Sequence, residues 1–257
     1  MGLYRSTLHY RPSRKDEALI RIRLKELAQR RRRFGCPRLH VMLKREGLVV
    51  NHKRTERIYR EEGLMLSKRR QSRKRGALQR IEMPMAARVN QRWSMDLMSD
   101  SLNSGRRFRV LTVVDDYSRE CPVLEVDTSI TGRRVVRVLE QLAGQRGLPA
   151  IITVDNGPEF AGKALDEWAY RQGVALRFIE PGKPVENAYI ESFNGKFRDE
   201  CLNENWFTSL YEARTIIEDW RRDYNEERPH SALGGLPPGK FAKQIEISAA
   251  RECFTLY

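Results

Sequence analysis

The stretch AIITVDNGPEF, residues 150–160, decides the fold. Its first five residues form an apolar run that predicts a short buried strand. Asp155 follows where that strand ends, and Asn156 and Gly157 then supply turn-forming residues. A carboxylate at the end of a buried strand is a candidate functional group, so Asp155 is the first candidate site residue.

Two further acids, Asp96 and Glu191, lie on predicted elements that could bring them close to Asp155. Asp96 lies in WSMDL, residues 93–97, inside a predicted strand at 91–98, where a lone carboxylate is not tolerated unless something pairs with it. Glu191 lies in the middle of a predicted helix of about 185–202, and thirty-five residues, 156–190, separate it from Asp155. A polar stripe lets that helix face a substrate, and its members are Asn187, Glu191, Asn194 and Arg198.

Three converging carboxylates are suited to phosphodiester chemistry with metal ions. Carboxylate oxygens bind Mg²⁺ or Mn²⁺, and two such ions can activate an attacking oxygen and stabilise the leaving one. This chemistry needs no protein nucleophile and no histidine base, which fits a chain with only four histidines. The alternative that remains open is three unrelated structural carboxylates. Among the competing acids, Asp115 and Asp116 are interpreted as turn residues and Glu159 as a helix-start acid.

The charge distribution predicts a polyanionic partner. The formal net charge is +14. Residues 1–90 hold 26 Lys and Arg against 8 Asp and Glu, whereas residues 91–257 hold 22 against 26. The basic N-terminal third is therefore the predicted grip on DNA, beside a mildly acidic remainder that suits a metal-binding core.

Cysteine spacing and the lack of long apolar runs indicate the cellular compartment of the protein. The four cysteines lie far apart without a C-x-x-C pair, which argues against a zinc cluster or a disulfide framework and fits a reducing cytosol. No apolar run approaches the length of about 18 residues that spans a membrane, and the start carries no signal sequence. The prediction is a cytoplasmic, nucleoid-associated protein with no membrane partner.

The N-terminal third predicts three short helices at 16–31, 38–46 and 52–62. The last helix carries four cations that suit a major groove, as in a helix-turn-helix module: Lys53, Arg54, Arg57 and Arg60. The alternative is a basic helical hairpin that only packs on the core. Residues 67–80 then contain seven Lys or Arg and no acid, among them Lys68, Arg69 and Arg70. That run is a solvated linker, a segment that follows phosphates, or both.

From residue 91 the pattern changes to strands alternating with helices. Strands are predicted at 91–98, 107–114, 121–126, 150–154 and 174–179, with helices after the third and fourth. This order favours a mixed five-stranded sheet with helices on both faces. If the first and fourth strands are neighbours, Asp96 and Asp155 meet.

The motifs resemble those of the integrase-like DDE transposases of bacterial insertion sequences, specifically the orf-B product of the IS-three family. In the core they are WSMD at 93–96, DNGPEF at 155–160, Glu191 with Asn194, and YNEERPH at 224–230. In the N-terminal third they are FGCPRLH at 34–40, VNHKR at 50–54 and YREEGL at 59–64. The resemblance covers roughly residues 15–240.

The resemblance implies an α/β, ribonuclease H-like catalytic core preceded by a small all-α domain. The expected organisation is a helix-turn-helix DNA-binding domain at 1–66, a basic linker at 67–89, the catalytic core at 90–240 and a tail at 241–257. Asp96, Asp155 and Glu191 are then the catalytic metal ligands for two Mg²⁺ or Mn²⁺ ions. Asn194 and Arg198 are expected along the DNA strand.

The implied activity is metal-dependent DNA cleavage and strand transfer by a transposase. The expected partners are double-stranded DNA (transposon ends and target), further copies of the chain on that DNA, and a protein from an upstream reading frame. A second hypothesis is a DNA-binding accessory or regulatory fragment that needs this upstream partner for catalysis. A third, a ribonuclease H-type nuclease on RNA–DNA hybrids, is disfavoured by the helix-turn-helix module.

Overall fold

A computed structural model describes residues 17–66, 85–179 and 187–255, with side chains described up to residue 248. The chain divides into two compact units, Met1–Lys74 and Arg75–Tyr257. Most of the predicted basic linker, including Lys68, Arg69 and Arg70, lies outside the described residues. No helix in the described parts of the chain is long and apolar enough to cross a membrane.

The described part of the first unit contains three helices. Its helices are α1 (Glu17–Arg30), α2 (Cys36–Arg45) and α3 (His52–Glu61), close to the predicted bounds. Asn51 caps α3, because its side chain accepts a hydrogen bond from the Lys53 backbone N–H at 2.9 Å. The apolar faces of the helices share one small core that includes Ile20, Leu24, Leu39 and Ile58.

The second unit is built on a five-stranded mixed sheet in the order β3-β2-β1-β4-β5. The strands are β1 (Arg92–Ser101), β2 (Arg107–Asp115), β3 (Val123–Asp127), β4 (Ile151–Val154) and β5 (Ala175–Phe178). The first three form an antiparallel meander, whereas β4 and β5 run parallel to β1. This is the ribonuclease H-like arrangement, and it makes β1 and β4 neighbours.

Helices cover both faces of the sheet. In chain order they are α4 (Gly132–Arg146), α5 (Lys163–Gln172), α6 (Ala188–Glu200), α7 (Leu210–Glu226) and α8 (Pro238–Thr255). One face of the sheet packs with α4 and α5, and the other packs with α6 and α7. Each central strand is therefore buried on both sides, as in sheets that are covered by helices on both faces.

The alternation of side chains along β1 decides which face carries the first acid. Trp93 and Met95 point into the core shared with α4 and α5, whereas Met98 belongs to the core shared with α6 and α7. Because successive side chains of a strand point to opposite faces, Asp96 lies on the side of α6 and α7. This is the face that also receives Glu191.

The third strand and the C-terminal segment differ from the sequence-based expectation. The third strand begins at Val123 and not at Cys121, because the Asn225 side chain takes both backbone groups of Cys121. Its Oδ1 accepts from the Cys121 N–H at 2.9 Å and its Nδ2 donates to the Cys121 carbonyl at 2.8 Å. The segment described as a tail at 241–257 is helical from Pro238 to Thr255, and Phe241 there packs against Tyr117 with ring centroids 5.7 Å apart.

Candidate active site

The register between β1 and β4 brings the first two acids level with each other. Arg92, Trp93 and Ser94 of β1 pair in parallel with Ile151, Ile152 and Thr153 of β4. Continuing the same register by two residues aligns Asp96 with Asp155, just beyond the end of β4. Parallel neighbouring strands therefore present the two carboxylates at one place on the sheet.

Asp96 is half-buried, and each of its carboxylate oxygens accepts one hydrogen bond. Oδ1 accepts from the Leu97 backbone N–H and Oδ2 accepts from Nδ2 of Asn194, both at 2.7 Å. Burial raises the pKa of Asp96 above its usual value, the negative charges of Asp155 and Glu191 raise it further, and the two hydrogen bonds lower it in part. Asp155 and Glu191 are thus close enough to Asp96 for their charges to affect its pKa.

Asp155 is exposed and is shaped by the turn that follows it. Its Oδ1 accepts a hydrogen bond from the Gly157 N–H at 3.0 Å. The Asn156 side chain donates to the carbonyl of Ile179, just after β5, at 2.9 Å. The turn is therefore tied both to its own aspartate and to the neighbouring strand.

Glu191 does not lie mid-helix, as the predicted bounds of 185–202 implied. The helix α6 begins at Ala188, so Glu191 occupies its first turn and is exposed. Among the described residues, no group of three His, Cys, Asp or Glu side chains is close enough together to hold a metal ion. The three acids are therefore gathered on one face of the sheet without forming a closed coordination shell.

The donor chemistry of the three acids nevertheless fits a divalent cation. Their six carboxylate oxygens are the hard ligands that Mg²⁺ and Mn²⁺ prefer. Burial and the negative charges of Asp155 and Glu191 together raise the pKa of Asp96, and a bound cation would offset the contribution of the two charges.

The competing acids all have structural partners. Asp115 is buried, and its Oδ1 accepts from the backbone N–H groups of Tyr117 and Ser118 at 3.0 and 2.8 Å, as expected of a turn residue. Asp116 is buried against Arg92 and Ser94. Burial alone would raise the pKa of Glu159, but its ion pair with Arg109 holds that pKa below its usual value.

The cations predicted to bind DNA on α3 are half-buried to exposed, and three of them contact acids. Arg57 hydrogen-bonds to Glu17 at 2.6 Å and Glu61 at 2.8 Å, and Arg60 bonds to Glu56 at 2.5 Å. Arg54 lies 3.9 Å from Glu17. No ion pair of the Lys53 ammonium is found among the described residues. Exposed ion pairs of this kind are worth little, so phosphates can replace the acids.

The two predicted DNA contacts on α6 have different surroundings. Asn194 is only 8% exposed and donates its amide to Asp96, which the polar stripe did not reveal. Arg198 is more open, although its Nη2 donates to the Ser99 carbonyl at 3.1 Å. Contact of either residue with DNA stays a prediction.

Most of the YNEERPH motif, to which sequence reasoning gave no chemistry, is buried, with only Glu226 and Glu227 exposed. Arg228 makes two hydrogen bonds to Glu200 at 2.7 and 2.6 Å, and its Nη1 lies 3.2 Å from Nε2 of His230. The Tyr224 ring packs edge-on against His230 at 4.8 Å and against Phe193 at 5.0 Å. The motif therefore fixes the end of α6 against α7 and the following loop.

Comparison with known proteins agrees with this architecture. The sequence matches the family described as "Integrase core domain" over residues 86–184 and again over 172–238, and an "HTH-like domain" over 14–73. An insertion element IS407 protein of 31.7 kDa from Burkholderia multivorans is 51% identical over 97% of this chain and 90% of that protein. The chain belongs to the integrase-core transposases of bacterial insertion elements. The putative transposase InsK of element IS150 from Escherichia coli is 24% identical to this transposase over 93% of the chain and 90% of that protein.

Solved structures share the fold of this transposase. The catalytic core of HTLV-2 integrase, solved in complex with magnesium, covers 61% of this chain and 98% of its own, with 17% identity and a TM-score of 0.50. A chain of the simian T-cell lymphotropic virus intasome covers 85% of this chain and 73% of its own, with 14% identity and a TM-score of 0.56. Integrase-core enzymes depend on a divalent metal and act on DNA, whereas no comparison favours a purely regulatory fragment.

Proposed function

We propose that this transposase cuts the ends of its insertion sequence and joins them to target DNA with Asp96, Asp155 and Glu191 as its catalytic carboxylates. The observation that carries the proposal is the β1–β4 register, which aligns Asp96 with Asp155. The effect of Asp155 and Glu191 on the pKa of Asp96 supports the same grouping. A water molecule would attack the phosphodiester at the element end, and the released 3′-OH would then attack a phosphodiester of the target.

The three carboxylates would hold two Mg²⁺ or Mn²⁺ ions. When bound, the ions would activate the attacking oxygen and stabilise the leaving oxygen. Asp96 is suited to ligation because the two hydrogen bonds that orient it leave each oxygen a further lone pair. The Gly157 N–H holds one oxygen of Asp155 and leaves the other open to a cation.

DNA would be held by the basic helix-turn-helix module and by residues beside the carboxylates. On α3 the proposed contacts are Lys53, Arg54, Arg57 and Arg60, and in the following basic run they are Lys68, Arg69 and Arg70. Arg198 is 43% exposed in its side chain and lies on the same helix as Glu191, so it can reach a phosphate near the cut. Asn194, which bonds to Asp96, would lie where the cut DNA strand meets the protein.

The complete reaction would take place on a multimer at the bacterial nucleoid in the cytoplasm. Joining two element ends to one target requires at least two active sites on the same DNA, so we propose a homo-multimer that forms on DNA. A protein encoded by an upstream frame is a further proposed partner, which would add DNA contacts to the complex.

Replacement of Asp155 tests the assignment. Asp155→Asn removes a charged metal ligand while keeping the side-chain shape, so we expect loss of cleavage and joining of a labelled element end in Mg²⁺. DNA binding in a gel-shift assay should remain. Asp166→Asn, at an exposed acid of α5, is the matched control and should stay active. Unchanged joining by Asp155→Asn would refute the site, and cleavage of RNA–DNA hybrids in preference to element ends would refute the substrate.

A further inference from the structure

A cation–π contact joins the turn after β2 to the first turn of α6. The guanidinium carbon of Arg119 lies 3.7 Å from the ring centroid of Tyr189, and that of Arg92 lies 6.0 Å from the same ring. Attraction between a cation and an aromatic face extends to about 6 Å, so Arg119 is close to ideal contact and Arg92 is at the limit. Tyr189 precedes Glu191 by two residues.

Arg119 is fixed from both sides of its backbone. Its N–H donates to the Asp115 carbonyl at 2.9 Å, and its carbonyl accepts from the hydroxyl of the buried Tyr224 at 3.1 Å. Its φ of 63° lies in the left-handed region, which a residue other than glycine keeps only when its surroundings hold it there. Arg119 therefore presents its guanidinium from a rigid support.

The guanidinium of Arg119 has few hydrogen-bond partners among the described residues. The nearby buried carboxylate of Asp116 already accepts from Arg92 and from the Ser94 hydroxyl. Among the described residues, Nη1 of Arg119 is buried and has no hydrogen-bond partner. In the described part of the chain, the Tyr189 ring lies in direct contact with this guanidinium, while the buried Asp116 interacts with its charge without a hydrogen bond to it.

The start of α6 depends on such anchors because it has no side-chain cap. Asn187 occupies the capping position without a capping hydrogen bond, and its Oδ1 is buried with no partner among the described residues. In the part of the chain that the structure describes, the first turn is anchored by the fully buried Ile190 and by the contact of Tyr189 with Arg119. Residues two apart on a helix point about 200° away from each other. Tyr189, half-buried against Arg119, and the exposed Glu191 therefore lie on opposite sides of the helix, so the position of one fixes the direction of the other.

We propose that Arg119 is a positioning residue that, through Tyr189, fixes the rotation of the first turn of α6 and so places the Glu191 carboxylate for metal binding. This inference rests on the proposed function of Glu191 as a metal ligand. Arg119 itself touches neither metal nor substrate in this scheme. Rotation of the first turn would carry Glu191 away from Asp96 and Asp155.

Mn²⁺ binding by the full-length chain tests the inference without relying on catalysis. Free Mn²⁺ is measured by its electron paramagnetic resonance signal, alongside thermal unfolding and joining of a labelled element end. Tyr189→Leu removes the aromatic face, Tyr189→Phe keeps it, and Arg119→Asn removes the cation but tolerates the left-handed backbone. We expect Tyr189→Leu and Arg119→Asn each to weaken Mn²⁺ binding roughly tenfold, with the unfolding temperature near that of the wild type. Tyr189→Phe should bind like the wild type.

The double variant Arg119→Asn/Tyr189→Leu gives the sharpest comparison. If the two residues act through one contact, the double variant binds Mn²⁺ no more weakly than either single variant. Wild-type Mn²⁺ affinity in both single variants, equal losses in Tyr189→Phe and Tyr189→Leu, or fully additive losses would overturn the inference. Failure of the proposed function has a different signature, because Asp155→Asn would then bind Mn²⁺ as the wild type does.

Discussion

Gly157, in the turn after β4, leaves no room for a side chain of its own beside the proposed ligand Asp155. A Cβ added to Gly157 would lie 2.9 Å from Oδ1 of Asp155 and 3.2 Å from Oε2 of Glu159. Both contacts are with the ends of side chains, which can shift at low cost. We therefore infer that glycine is needed here for the position of the Asp155 carboxylate and not for the stability of the fold.

Gly157→Ala should separate activity from stability. We expect the alanine methyl to displace the Asp155 carboxylate, and a shift of about 1 Å at a catalytic group costs on the order of 100-fold in rate. Strand joining should fall accordingly in a single-turnover assay, with the unfolding temperature nearly unchanged. Gly144→Ala, which has open space around the new methyl, is the control and should keep full activity. Equal activity of the two variants would show that Asp155 is not held by this turn.

The sequence led us to propose the three acids as a site, because their spacing and neighbours form a recognisable pattern, but it did not reveal their hydrogen-bond partners. The polar stripe on α6 predicted that this helix faces a substrate, but it did not reveal that the Asn194 amide bonds to Asp96 or that only 8% of the residue is exposed. Helical periodicity groups residues on one face but does not say what that face packs against. The contact between Arg119 and Tyr189 joins residues far apart in sequence and leaves no local pattern.

At the scale of whole elements, local signals predicted the starts of most helices and strands, and the misses depend on contacts distant in the sequence. At the start of α7, the Ser209 hydroxyl accepts from the Glu212 N–H at 3.1 Å, and the Glu212 carboxylate accepts from the Thr208 N–H at 2.7 Å. The start of β3 could not be predicted because it depends on Asn225, 104 residues away in the chain. The helix α8 was missed for a similar reason, since it is held by packing on α7 and Tyr117 and lacks a clear apolar period.

Substitution of Gly239 tests how closely α8 packs against α7. A Cβ at Gly239 would lie 3.1 Å from the Asn225 carbonyl oxygen, and the Asn225 side chain is itself fixed to Cys121. Overpacking of this kind costs about 1–3 kcal/mol, whereas replacing a helical glycine by alanine gains about 0.5–1 kcal/mol. Gly239→Ala should therefore lower the free energy of unfolding by about 1 kcal/mol in urea titrations.

The same replacement at an open helical position provides the comparison for Gly239. Gly144→Ala meets no atom within 4 Å and should raise the free energy of unfolding by about 0.5–1 kcal/mol. Similar stabilisation by both replacements would mean that α8 does not pack closely on the end of α7.

For the whole molecule, the charge distribution separates the two expected tasks. The excess of Lys and Arg lies in residues 1–90, and the remainder carries more acids than bases. The proposed grip on DNA is thus concentrated in the helix-turn-helix unit, whereas the proposed carboxylates lie in the other unit. Binding to phosphates releases counterions, so affinity should fall steeply as salt rises.

The salt dependence of DNA binding tests the role of α3. Each phosphate contact contributes about 0.9 to the slope of log affinity against log salt concentration, so Lys53→Gln should reduce that slope by about 0.9. The measurement is fluorescence anisotropy of a labelled element end at several salt concentrations. Arg222→Gln, at an exposed cation of α7, is the control and should leave the slope unchanged. An unchanged slope in Lys53→Gln would remove α3 from the DNA interface.

The most direct test of the central claim is strand joining by Asp155→Cys in Mg²⁺ and in Mn²⁺. A thiolate is a poor ligand for the hard Mg²⁺ and a better one for the softer Mn²⁺, so the metal that supports activity reveals direct ligation. The account predicts that Asp155→Cys forms no joined product in Mg²⁺ and recovers measurable product in Mn²⁺, while the wild type is active with both. Joining by Asp155→Cys at the wild-type rate in Mg²⁺ would contradict it.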